Sequence, residues 1–144
     1  GQALIGDGAG NVGWGDVATI GLQPRKTASV TQSIASGAAS NVSISTAKGF
    51  VLYSIETSHA AWVTLYTDTA SRTADAGRLE ITDPTPGSGV LSEVITTGAV
   101  TQLITPGTIC FNSSPTATTY AKIVNKSGST ANVQVTLTYL QLEA

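Results

Sequence analysis

The chain of 144 residues has room for one ordinary domain, which would bury roughly two-thirds of the surface that its unfolded form exposes. Charged residues make up only 11%, and 22 Thr with 15 Ser supply about a quarter of the chain, a balance suited to strands and turns rather than solvated helices. Net charge is −2 and the seven basic residues are scattered, so there is no patch to displace counter-ions from a phosphate backbone, and nucleic acid is not an expected partner. Nor is a membrane, because no run approaches the eighteen or so apolar residues of a span.

In chain order, residues 1–26 differ in kind from the rest. Six glycines fall between Gly1 and Gly15, and the apolar pieces Ala3-Leu4-Ile5 and 17–22 are too short to order themselves alone. This segment is expected to be an extended, glycine-rich arm that orders against a partner, with Pro24 marking the boundary to a globular body over 27–144. From Thr27 the apolar residues recur with a period near two, the signature of half-buried strands. Val30, Gln32 and Ile34 alternate with Thr31 and Ser33, and Val42 and Ile44 alternate with Ser43 and Ser45. The segments 50–58 and 61–67 carry the strongest pattern and are expected to be central strands, joined as a hairpin through Ser58-His59-Ala60.

Between Asp68 and Gly89 turn chemistry dominates, with Ala74-Asp75-Ala76-Gly77 and Asp83-Pro84-Thr85-Pro86-Gly87-Ser88-Gly89, which predicts a long surface excursion. Strands resume at 90–96, 100–104, 108–112, 119–125 and 133–142, separated by Gly98, Pro106-Gly107, Pro115 and Gly128. The last has the cleanest alternation and should lie in a sheet with one wet face. Eight or nine short strands at this spacing predict an all-β fold, an antiparallel β-sandwich of jelly-roll type.

The residues that carry chemistry are few. His59 is the only histidine and falls in a turn, with no base-and-nucleophile arrangement around it, so it reads as a loop histidine. Cys110, the only cysteine, excludes an internal disulfide and a thiolate zinc site, and between Ile109 and Phe111 it reads as a small buried residue. Asp68, Asp75, Glu80 and Asp83 are interleaved with Arg72 and Arg78, a pattern of loop salt bridges or links to a neighbouring subunit rather than a calcium loop. Gly8-x-Gly10-x-x-Gly13 matches the dinucleotide pattern in letters, but that site needs a helix after it, and the acidic residue some twenty positions on is missing. Asn41-Val-Ser43, Asn112-Ser-Ser114 and Asn125-Lys-Ser127 satisfy the glycosylation triplet, which a chain so rich in Ser and Thr produces by chance. No catalytic residue, metal site or cofactor is expected, and the chain reads as non-enzymatic. Tyr53, Trp62 and Tyr66 fit core or interface anchors better than a sugar platform.

The segment Leu4-Ile5-Gly6-Asp7-Gly8-Ala9-Gly10-Asn11-Val12-Gly13-Trp14-Gly15 resembles the "GDGxGNVxWG" segments of tail-fibre and other virion proteins of tailed bacteriophages. In the body, Phe50-Val-Leu-Tyr-Ser-Ile, His59-Ala-Ala-Trp62-Val-Thr-Leu-Tyr66, Arg72 to Asp75, Asp83-Pro84 and Gly87-Ser-Gly89-Val-Leu-Ser-Glu93-Val are similar to a small β-sandwich module of phage structural proteins. The resemblance implies a virion component, commonly homotrimeric, that decorates the capsid as a cement protein or forms part of a fibre or baseplate. Its partners would be copies of itself and other capsid or tail proteins, with Leu4, Ile5, Asp7, Asn11 and Trp14 anchoring the arm. Trp62, Tyr66, Arg72, Asp75 and Arg78 are the candidates for subunit contacts. The alternative function is a carbohydrate-binding module that uses these residues against host-surface glycans.

Overall fold

Successive side chains of a strand face opposite ways, so alternation in the sequence should sort each strand into an inner and an outer row. The computed structural model describes residues 2–6, 9–10, 12–16 and 23–144 and shows this sorting. Among the described residues ten strands form, β1 (Gln2–Gly6), β2 (Val12–Asp16), β3 (Lys26–Ile34), β4 (Ala39–Ser45), β5 (Gly49–Thr57), β6 (Ala61–Tyr66), β7 (Val90–Ile95), β8 (Val100–Phe111), β9 (Thr118–Asn125) and β10 (Ala131–Glu143). One short helix, α1 (Thr69–Ala74), lies between β6 and β7.

The protein is all-β. A first sheet has the order β3-β10-β5-β8 and a second has the order β4-β9-β6-β7, both antiparallel. One hydrophobic core joins them, with Ile34, Leu52, Ile55, Val135 and Leu137 from the first sheet and Ile44, Val63, Leu65, Ala121 and Ile123 from the second. Fully burying a side chain of this size is worth about 1.5–3 kcal/mol, so this shared core is the main source of stability. The four pairs β3–β10, β4–β9, β5–β8 and β6–β7 are nested, as in one long antiparallel ribbon doubled back on itself. Its two free ends are β3 and β10, and its tip is the chain between β6 and β7. Pairing of β5 with β10 and of β6 with β9 closes the curled ribbon into the two sheets.

Three expectations are corrected. The segments 50–58 and 61–67 are interior strands, but β5 and β6 belong to different sheets, so residues 58–60 cross between sheets and make no hairpin. Both strands carry core residues, Ile55 on one and Val63 on the other, and these meet only if the strands stack across the core. The segments 100–104 and 108–112 are one strand. Pro106 cannot donate to a ladder, but β8 is the edge of its sheet, where proline is tolerated, and residues 104–107 bulge opposite Tyr53. A Cβ at Gly107 would stand 2.8 Å from Val51 Cγ1 and 3.3 Å from Leu52 O, so a larger residue at this close return of the chain would have to push Val51 aside. The excursion over 68–89 is not all loop, because α1 forms within it.

In the N-terminal segment, β1 and β2 pair with each other as a separate two-stranded sheet. Asp7, Asn11 and residues 17–22 lie outside the described residues, as do the side chains of Ile5 and Trp14. The glycine pattern of residues 8–13 is followed by strand β2 where a dinucleotide site needs a helix. Two of the chance glycosylation triplets prove to be Asx turns that end strands. Asn112 and Asn125 are buried, and their Oδ1 atoms accept the backbone N–H of Ser114 and Ser127. The Nδ2 of Asn125 donates to Ile34 O and Ser129 O.

Candidate functional site

All six residues of β6 are buried, which is possible only if both of its faces are covered. Ala61, Val63 and Leu65 face the shared core, and Trp62, Thr64 and Tyr66 form the opposite row. On that outer face the register sets Glu93 of β7 beside Thr64, and Lys122 and Tyr120 of β9 beside Thr64 and Tyr66. The ribbon tip lies across them. Its helix starts because Asp68 is an N-cap, its Oδ1 accepting the Ser71 N–H at 2.7 Å while Oδ2 accepts from Ser113 Oγ at 2.8 Å. The Ser71 backbone bond, followed by the Ser113 hydroxyl, holds the Asp68 carboxyl down at about 2. The tip returns to β7 through Gly89, whose φ is +84° and where a Cβ would lie 2.1 Å from Ser71 Oγ. Only glycine fits against the helix there.

A charged clamp fastens this cover. Arg78 Nε donates to Asp75 Oδ1 at 2.7 Å, Nη1 donates to Thr82 O at 2.8 Å, and Nη2 donates to Glu93 Oε2. The Tyr66 hydroxyl donates to Asp75 Oδ2 at 2.7 Å, and Thr64 Oγ1 donates to Glu93 Oε2 at 3.1 Å. Lys122 Nζ donates to the Asp75 carbonyl at 3.1 Å and stands 3.8 Å from its carboxylate. Both cations stand over the ring of Trp62, Lys122 at 4.6 Å and Arg78 at 5.3 Å from its centroid. The indole N–H is buried and meets no acceptor in hydrogen-bond geometry, yet it lies near enough to Glu93 to favour its carboxylate. Arg72 ties α1 to the sheet backbone, Nη1 donating to Val42 O at 2.8 Å and Ala121 O at 3.3 Å, with the guanidinium over Tyr120.

Two cations and two carboxylates balance to zero here, as burial of charge requires. Burial works to raise the Asp75 and Glu93 carboxyls, but the hydrogen bonds and charge of Arg78 overcome it and hold both below the usual range. Burial likewise acts to lower the Arg78 guanidinium, and its two carboxylates more than reverse this. For Lys122 burial wins, and its ammonium is shifted down. Tyr66 is raised by burial first and by its bond to Asp75 second. The clamp therefore works as a set of fixed counter-ions near neutral pH.

The sequence candidates Trp62, Tyr66, Arg72, Asp75 and Arg78 are thus brought together, Trp62 and Tyr66 in the interior and Arg72, Asp75 and Arg78 half-buried, with Asp75 and Arg78 on the wall of an open cavity. Tyr66 is 0% and Trp62 6% exposed, so neither is presented to a sugar or a neighbouring subunit. Lys122, Glu93 and Thr64 complete the clamp and were not anticipated. Of the remaining loop carboxylates, Glu80 pairs with Lys126, while Asp83 lines a cavity of about 320 Å³ with Thr82, Thr85 and Ser88. Among the described residues no group of three or more His, Cys, Asp or Glu is placed to hold a metal. His59 Nδ1 does meet Ser58 Oγ at 2.9 Å in the inter-sheet crossing, but that hydroxyl also accepts the Gln134 N–H, which fixes it as part of the turn. Cys110 is fully buried, and burial pushes its thiol up to about 12, the state of an inert core residue.

At the N-terminus, Leu4 and Val12 are 60% and 68% exposed. No protein-family model matches the chain, and a search of the curated proteins finds no match.

Two predictions follow from the clamp. Arg78→Met removes the guanidinium that bridges the Asp75 and Glu93 carboxylates and stands over Trp62, and should cost about 3 kcal/mol in urea unfolding while opening 75–89 to protease. An unchanged midpoint would contradict the clamp. Asp68, Asp75 and Glu93 all have folded values below their unfolded ones, so their support is full above pH about 4 and is lost as pH falls through the folded values. The melting temperature should hold level from pH 7 to 5 and fall below pH about 4, less steeply in Asp68→Asn, which keeps a cap that does not titrate.

Proposed function

We propose that the protein is a non-enzymatic structural component of a tailed-bacteriophage virion, a capsid decoration or fibre protein that assembles with copies of itself, with a homotrimer as the expected form. The observation that carries this reading is the strand order. Eight body strands in sheets β3-β10-β5-β8 and β4-β9-β6-β7, with nested antiparallel pairs, support a jelly-roll topology, an architecture common in viral capsid domains. The resemblance of residues 4–15 and of the body segments to phage virion proteins points the same way.

The segment before β3 supports a docking role for the N-terminus. A lone two-stranded ribbon is marginal in water, and this one exposes Leu4 and Val12. Laying such a ribbon on another virion protein would bury apolar surface that a free chain leaves wet, with affinity arising as the segment orders. The ribbon is read here as the anchor and the two-sheet body as the part that is displayed.

A carbohydrate-binding reading has one favourable observation, the open cavity lined by Asp75, Arg78, Thr82, Asp83, Thr85 and Ser88, where the Ser88 hydroxyl is buried without a partner. The test separates the two. Antibody raised against the chain and coupled to gold should label purified particles of the phage that encodes it at one repeated position on head or tail. Unlabelled particles, with the chain found only free in the lysate, would contradict the structural reading. Glycan binding by the purified chain would favour the second.

A further inference from the structure

The outer face of the first sheet changes character from one edge to the other. At the β3 edge it is lined with hydroxyls, Ser29 Oγ meeting Thr136 Oγ1 at 2.8 Å, with Thr27, Thr31 and Ser33 in the same row. At the β8 edge it is apolar. Register places Leu140, Val51 and Ile109 side by side across β10, β5 and β8, with Phe111 one step along in a row that ends on Glu143, Leu142 at the irregularity before it, and Leu103 beyond the bulge. Leu103, Ile109, Phe111 and Leu142 are 63%, 66%, 51% and 57% exposed. Isolated exposed leucines need no explanation, but side chains of this size in adjacent rows present several hundred Å², the scale at which a surface patch is usually functional.

The strand that carries most of this patch is itself open. Among the described residues β8 pairs only with β5, so its other side presents backbone donors and acceptors along an edge of twelve residues. Natural edge strands are commonly guarded by charge, and β8 contains no Asp, Glu, Lys or Arg. Its only guard is the Pro106 bulge.

We infer that this end of the first sheet is where copies of the chain meet, with β8 beside the symmetry axis and Leu103, Ile109 and Phe111 forming the dry centre of the contact. This rests on the homo-oligomer reading above and names its surface. A second copy is the fitting occupant because the patch brings no charge to be repelled by itself. The charges that border it come in both signs, Arg25 over the Tyr53 ring and Lys48 before Gly49 against Glu56 beside Thr101 and Glu143 beside Gly49, so two copies can match rim to rim. An apolar centre inside a polar rim is the usual build of an interface, and several hundred Å² is a suitable core for the roughly 800 Å² that each partner buries in a standard one.

The test is solution mass by light scattering on the full chain at tens of micromolar, with thermal melts to verify folding. Wild type should be a stable multiple of the single-chain 14.6 kDa, Ile109→Glu should fall to that single mass with an unchanged melt, and Thr31→Lys at the opposite edge should keep the wild-type mass. An oligomeric wild type whose mass survives Ile109→Glu overturns this surface and leaves the homo-oligomer reading standing. A monomeric wild type overturns both. Where Ile109→Glu does not fold, Ile109→Cys decides, since Cys110 is buried and the new thiol alone is exposed. Mild oxidation should then link two copies, and failure to link them in an oligomeric sample overturns the inference.

Discussion

The structure depends on one constraint, that β6 is buried on both faces. Its inner row is covered by the first sheet across the core. Its outer row, Trp62, Thr64 and Tyr66, has only the ribbon tip to cover it, because that stretch of chain leaves from the end of β6 and must return to β7 alongside. A tip built from turn residues is polar, and burying its charges costs several kcal/mol each unless they are paired. Asp75, Arg78, Glu93 and Lys122 meet that requirement over the Trp62 ring. The helix α1 is too short to hold itself, and it stands because Asp68 caps it, Arg72 ties it to β4 and β9, and Gly89 lets the returning chain lie against it.

This arrangement makes the two sheets unlike each other. The second sheet hides its outer face under the chain's own tip, so the aromatic and charged residues that stand out in the sequence serve the interior. Among the described residues the first sheet has no such cover and shows an outer face that is hydroxylated at one edge and apolar at the other.

Much of the fold could be read from alternation, because a strand with one buried row prints its period directly. Val133, Val135, Leu137 and Tyr139 in β10 are the clearest case, and the burial of Cys110 followed from its apolar neighbours in the same way. Pairing was less legible. The three-residue link at 58–60 looks the same in sequence whether it closes a hairpin or crosses a core, and the choice depends on which distant strands, β10 and β9, claim β5 and β6. Pro106-Gly107 read as a break because the edge position that tolerates it is a tertiary fact. The helix α1 was hidden by its length, although Asp68 three residues ahead of Ser71 is an N-cap spacing. At the site, the interleaved loop charges read as salt bridges within the loop or links to a neighbour, and Arg78 with Asp75 makes the first of these, while Trp62 and Tyr66 read as core or interface anchors and are buried. A signal for the rest was present, since Lys122 and Glu93 stand in the middle of apolar strands in a chain with few charges, where an ionised side chain needs a partner. Why Asp83 and Ser88 border an open cavity has no such explanation in the fold.

Hydrogen exchange of the native protein tests the central claim most directly, because it reads whether the 68–89 tip is part of the folded core or a separate mobile loop. The amides of Thr67, Asp75 and Arg78, bonded to Gly89 O, Ser71 O and Asp75 O, should exchange within about tenfold of the Leu65 amide in β6, as one cooperative unit. Exchange of the tip orders of magnitude faster than β6 would show that the outer face of the second sheet is only loosely covered, and that the tip is free for binding after all.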